Sequence, residues 1–148
     1  MAKYAITYSC GHAGTTNIAG PQKYRAAKLA RQAEGLCPDC YAEQRATERA
    51  RAAQEAATKN AEAGLPPLTG TPKQIAWAEQ IRQRLQPEIA QLQQDLDAVR
   101  DSAPADKVQS LDRAITRIIH ETQASWWIDH RHASARQIAT DEMKAYLK

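Results

Sequence analysis

Three cysteines and one histidine carry the most specific chemistry in this chain. Cys10 and His12 flank Gly11, and Cys37 and Cys40 enclose Pro38-Asp39. Thiolate sulfur and imidazole nitrogen in two close pairs make the donor set of a tetrahedral zinc site. The three cysteines are all that the sequence holds, and three thiols cannot all pair as disulfides within one chain. Thiols kept on a metal in a reducing cytoplasm fit better. Cys10, His12, Cys37 and Cys40 are therefore read as the ligands of one Zn2+. Four protein donors complete a tetrahedron and leave no place for water, so the expected ion is structural rather than catalytic. The competing reading is a set of free thiols and a surface histidine around a small apolar knot. The N-terminal region is too poor in apolar residues to fold by packing, and that favours the metal.

Other candidate chemistry is less specific. Lys23, Arg25, Lys28 and Arg31 place four positive charges on one segment before the first acid, Glu34. Such a face can lie on phosphates, or it can simply be solvated. The net charge is +3, and residues 1–64 carry nine basic against six acidic side chains while residues 65–148 carry eleven against eleven. The excess lies wholly in the N-terminal half, which is mild support for a nucleic-acid partner. Between His120 and His132 the chain gathers His120, Glu121, Asp129, His130, Arg131 and His132 around Trp126-Trp127-Ile128. His120-Glu121 lacks the second histidine of a zinc-protease helix. His130 and His132, two residues apart, fall on different sides of a helix. A packed tryptophan corner is the simpler reading, with Asp129 and Arg131 tied to each other or to neighbouring helix ends. No nucleophile–base arrangement or phosphate-cradling glycine loop appears, and no enzyme is expected.

The elements that must position these residues follow from period and punctuation. Tyr4, Ile6 and Tyr8 alternate with Ala5 and Thr7, predicting a strand, and residues 14–18 suit a return strand with the first ligand pair at the turn. Pro21 opens a helix over 22–34 with Tyr24, Ala27, Ala30 and Ala33 as its apolar face, and Gly35 ends it. Cys37 and Cys40 enter a long helix over 40–63. Its Ala42, Ala46, Ala50, Ala53, Ala57 and Ala61 form one stripe. Residues 64–71, with two glycines and two prolines, read as a linker and domain boundary. The division expected is thus a zinc module with connector helix over 1–63 and a helical bundle over 72–148. Thr71 is a good N-cap before Pro72. Helices are expected over 72–99 with a kink at Pro87, over 105–121, and over about 124–147 with a bend near 132–134. That last span includes Tyr146 and Leu147 as apolar positions. The fold class expected is mainly α, with a zinc-stabilised hairpin and helix in front. No apolar run is long enough to span a bilayer, and residues 1–4 do not begin a secretory signal. A cytoplasmic protein without membrane or small-molecule partners is expected.

The stretch Leu68-Thr69-Gly70-Thr71-Pro72-Lys73-Gln74-Ile75-Ala76-Trp77-Ala78-Glu79-Gln80-Ile81-Arg82 resembles a box in uncharacterised bacterial and phage mobile-element proteins. Its pattern there is Leu-Thr-Gly-Ser-x-Lys-Gln-x-x-Trp-Ala-x-x-Ile-Arg. Those proteins carry a cysteine-bearing region before the box and a Trp-Ile-Asp-x-Arg box after it. The latter is Trp127-Ile128-Asp129-His130-Arg131 here. This chain departs in its Ser9-Cys10-Gly11-His12 stretch and alanine-rich connector. The resemblance implies that the two boxes meet, with Trp77 stacked on Trp127 in one core and Arg82 near Asp129. It also implies a mobile-element setting. The expected function is a non-enzymatic interaction protein that binds a protein or ribonucleoprotein complex of the host. Its sharpest form is an inhibitor of a defence complex, such as an anti-CRISPR protein. The alternative is a nucleic-acid-binding accessory or regulatory protein that uses the basic N-terminal helix.

Overall fold

The computed structural model describes residues 2–145. Tyr146 and Leu147, expected at the end of the last helix, lie outside these. The chain divides into two compact units, Met1–Arg49 and Ala50–Lys148. The segment 64–71, expected as the boundary, lies within the second unit.

In the first unit, β1 (Ala2–Thr7) and β2 (Ala13–Ile18) pair antiparallel, Ala2 opposite Ile18 and Thr7 opposite Ala13. Period-two alternation turns Ile6 inward, and Ile18 joins it at the end of β2. A 3-10 turn (Gln22–Tyr24) leads into α1 (Arg25–Ala33), which packs on both strands. The inward face of α1 is not the expected one. Tyr24, Ala27 and Ala30 are exposed, whereas Arg25, Leu29 and Ala33 are partly covered. The chain starts as a 3-10 turn, and this shifts the angular phase of the helix that follows. Only Ile6, Ile18 and Cys37 are buried among the described residues of this unit. That is little for a hairpin and helix to stand on.

α2 (Pro38–Glu62) begins in the first unit and ends in the second. Its buried positions are Ala53, Ala56 and Asn60, while Ala42, Ala46, Ala50 and Ala61 of the expected stripe are exposed.

The core of the second unit is built on α3 (Pro72–Val99). Thr71 caps it: its hydroxyl accepts from the Gln74 N–H, and the Gln74 side chain accepts from the Thr71 N–H, a complete capping box. The helix continues through Pro87 to bury Ile81, Leu85, Ile89, Leu92 and Leu96 on one face. α4 (Ala105–Ile119) contributes Ala114, Ile115 and Ile118. The last expected helix is two: α5 (Ala124–Asp129) and α6 (Ala135–Ala145). The interruption is stable because the new helix start at Ala135 finds acceptors. Ser134 Oγ accepts from the Gln137 N–H, and Glu88 Oε2, reaching from α3, accepts from the Ala135 N–H at 2.8 Å. Trp127, Ile138 and Ala139 complete the apolar cluster. The mainly α class with a small N-terminal hairpin is as expected. No helix among the described residues is long and apolar enough to cross a membrane.

Candidate metal centre

The first ligand pair sits on the turn between β1 and β2. Gly11 takes φ +83°, a left-handed backbone that costs glycine little. The turn is closed by the Gly11 N–H donating to Tyr8 O at 2.9 Å and the Tyr8 N–H donating to His12 O at 3.0 Å. The second pair opens α2, with Pro38 in the first turn and the Tyr41 N–H donating to Cys37 O at 2.9 Å. Ser9 joins the two loops. Its N–H and its hydroxyl both donate to Gly35 O, at 3.0 and 2.9 Å. These bonds bring the two loops together, and the Cys37 N–H donates to Cys10 Sγ, 27 residues away in sequence, at 3.4 Å.

The resulting geometry suits one ion. The donor atoms of Cys10, His12, Cys37 and Cys40 all lie within 4.8 Å of one another. His12 Nδ1 is 3.5 Å from Cys37 Sγ and 3.2 Å from Cys40 Sγ. Metal–sulfur bonds of about 2.3 Å in a tetrahedron separate sulfurs by about 3.8 Å, so a shift of no more than about 1 Å lets these donors share a centre. All three cysteines are free thiols, not disulfides. Cys37 is buried, Cys10 and Cys40 are half-buried, and His12 is exposed.

The electrostatics agree. Backbone N–H groups of Cys37 and His12 aim at Cys10 and lower its thiol from the usual 9.0 to about 6. Hydrogen bonding from Cys37, with burial and the crowding of Cys10, raises Cys40 from 9.0 to about 12. The cluster by itself favours one thiolate and resists another. A cation at the centre removes that conflict, because it stabilises every thiolate at once. The four residues form a cluster that could hold one metal ion. Among the described residues no second group of His, Cys, Asp or Glu gathers its donor atoms in this way.

The basic segment lies against the end of β2 that is opposite to the ligand-bearing turn, and is partly committed. Arg25 Nε donates to Gly20 O at 3.0 Å and Lys28 Nζ to Ala19 O at 2.9 Å, which satisfies the carbonyls where β2 ends. Lys23 Nζ lies 4.9 Å from the centre of the Tyr24 ring. Arg31 is exposed near the end of α1.

In the second unit the two boxes do meet, through contacts other than those expected. The Thr69 N–H donates to Thr122 O at 2.7 Å and the Ala124 N–H donates to Thr69 O at 2.9 Å, so the strand-like approach to α3 pairs with the approach to α5. Gly70, with φ +148°, stands where a Cβ would come within 3.1 Å of Ala124 Cβ. Trp127 is fully buried and its Nε1 donates to Glu121 O at 3.1 Å. Its aromatic neighbour is Trp126, edge-to-face at 5.1 Å, and not Trp77. Trp77 is 49% exposed, because Ala78 and Ile81 take the inward face of that turn. Arg82 is buried but pairs with Glu79, Nη2 to Oε2 at 3.2 Å, and donates to Pro66 O at 2.7 Å. Asp129 is exposed and makes no ion pair with it. Arg131 is exposed and donates to Ile128 O at 3.1 Å, within its own turn. His120 and His130 Nδ1 donate to Thr116 O and Trp126 O, each closing the end of its own helix.

Sequence reading missed Asn60. Its amide donates to the Glu79 carboxylate and, at 3.0 Å, to Glu79 O, so Asn60, Glu79 and Arg82 form one buried polar chain. The one available signal was an asparagine at an inward position of an alanine stripe. Comparison with protein families, curated proteins and solved structures finds no match to this chain.

Proposed function

We propose that Cys10, His12, Cys37 and Cys40 hold one structural Zn2+, and that the clipped unit serves to present a binding surface for another macromolecule. The observation that carries the zinc reading is the gathering of three thiols and one imidazole in tetrahedral reach. Three sulfurs and one nitrogen select zinc over hard cations such as magnesium or calcium. With all four positions occupied by protein, the ion has no place for a reacting group, which supports a non-enzymatic role.

The partner reading rests on what the first unit leaves outside. Tyr24, Leu36 and Tyr41 are its exposed large apolar side chains, at 53%, 37% and 58%. Exposed tyrosines on a rigid support are typical anchors of protein interfaces. Arg25 and Lys28 are engaged by backbone carbonyls, which favours a protein-facing role over a phosphate-facing helix. The partner is a protein or ribonucleoprotein complex. In the mobile-element setting that the box resemblance implies, it is a host defence complex of the CRISPR–Cas kind, and the chain is its inhibitor.

Two measurements test this. Metal analysis of freshly purified protein should find about one zinc per chain, and a value near zero overturns the metal reading. Purified CRISPR–Cas effector should bind the chain and lose target cleavage in proportion to the chain added, with the loss reversed by Tyr24→Ala/Tyr41→Ala. Full cleavage at a tenfold excess of the chain overturns the inhibitor reading.

A further inference from the structure

The two boxes contain residues that the core does not use. Leu68, Ala78, Ile81, Arg82 and Trp127 are buried and account for the packing. Trp77 and Arg131 are exposed, come from different boxes, and lie side by side: the Arg131 guanidinium is 6.0 Å from the centre of the Trp77 ring. Arg84 joins them, its Nη2 donating to Arg131 O at 2.9 Å. On α3, Lys73 stands four residues before Trp77 and Arg84 seven after it, so all three share one helix face. His132 follows Arg131 and is exposed, and Asp129 is the exposed acid of the same turn region. The patch therefore carries three fixed positive charges, Lys73, Arg84 and Arg131, against two negative charges, Asp129 and Glu88, of which Glu88 accepts from the Ala135 N–H, around a half-exposed indole.

We infer that this face of the second unit binds single-stranded nucleic acid, with a base stacked on Trp77 and phosphates on Arg84, Arg131 and Lys73. Charge complementarity selects an anionic partner. The exposed indole selects one that also offers a flat π-face, because base–aromatic stacking and guanidinium–phosphate pairing are the two terms that hold single strands. A duplex keeps its bases within the stack and has none to give Trp77. An acidic peptide offers the charge without the ring. One aromatic platform and three cations make a short, weak site. The inference is independent of the zinc reading and of the N-terminal basic segment, since every residue lies in the second unit.

The test is fluorescence anisotropy of labelled dT12 and rU12 with the full chain at 50 mM salt, repeated at higher salt. Expected are binding in the micromolar range and weaker binding of a matched duplex. Trp77→Ala should weaken dT12 binding by about 5- to 100-fold, with unchanged circular dichroism because the ring is half in solvent. Arg84→Ala/Arg131→Ala should reduce the slope of log K against log salt by about 1.4, two phosphates at about 0.7 each. Lys23→Ala/Arg31→Ala should change neither. The inference is overturned by absence of binding at 50 mM salt, by duplex bound as tightly as single strand, or by Trp77→Ala binding like the parent. Poly-glutamate competing as well as dT12, strand for strand, would also overturn it and assign the face to acidic peptides.

Discussion

The buried polar chain of the second unit gives the sharpest stability prediction. Arg82 is 1% exposed and Glu79 6%, so both ions are out of water. The guanidinium is held by Glu79 Oε1 and Oε2 at 3.4 and 3.2 Å and by Pro66 O at 2.7 Å, while its Nε has no partner. Burial pushes Arg82 below its ordinary range, and the charge and hydrogen bonds of Glu79 oppose this. Glu79→Gln removes the opposing charge and leaves a buried cation. Breaking one side of such a pair costs about 3–5 kcal/mol. In a unit of roughly 100 residues, 1 kcal/mol shifts the midpoint by about 4–8 °C, so a fall of at least about 12 °C is expected. Glu79→Leu/Arg82→Met removes both ions and should recover about half of this. A residual of about 1–3 kcal/mol remains, because the Asn60 amide loses its carboxylate. Thermal unfolding followed by circular dichroism, with urea titration for the free energies, measures all three proteins. A cost below about 1 kcal/mol for Glu79→Gln, or a double variant no better than the single, refutes the reasoning.

Other expectations follow from particular contacts. In metal-free protein the lowered Cys10 thiol favours thiolate at pH 7 and the raised Cys40 stays thiol, so iodoacetamide should label Cys10 before Cys40. Labelling of Cys10 should fall to half as pH drops to about 6, and one equivalent of zinc should suppress labelling at all three sites, read by peptide mass spectrometry. Gly70→Ala should cost about 1–3 kcal/mol, since it meets both a backbone that L-residues avoid and the Ala124 methyl at 3.1 Å. Trp127→Ala should cost about 3–5 kcal/mol. Trp77→Ala should stay within about 0.5 kcal/mol, and a comparable loss at both sites would place Trp77 in the core after all.

Much of the local structure was legible because it is decided within a few residues. The alternation of Tyr4, Ile6 and Tyr8 marked β1, Thr71-Pro72 marked the start of α3, and Pro104 marked the break before α4. The Cys/His cluster was legible for the same reason: Cys10 with His12, and Cys37 with Cys40, are pairs defined by one turn each. The phase of α1 was not, because a 3-10 turn over Gln22–Tyr24 costs little against an α turn, and no single residue marks the difference.

What the sequence by itself determined is the inventory: a mainly helical chain, four metal donors in two pairs, and two boxes rich in tryptophan and arginine. The tertiary structure alone decided which box residues face inward. A helix places a residue every 100° or so, and α3 has apolar candidates on more than one side. The inward side was settled by what α5 and the 64–71 segment offer to it: Ala124 against Gly70, the Thr122 and Thr69 backbones, and a Pro66 carbonyl for Arg82. Those partners are distant in sequence, so no local rule selects Trp127 for the core and Trp77 for the surface. The approach of the two ligand pairs has the same origin. Ser9 bonding to Gly35, between loops that no periodicity relates, turns two cysteine-bearing turns into one Cys/His cluster.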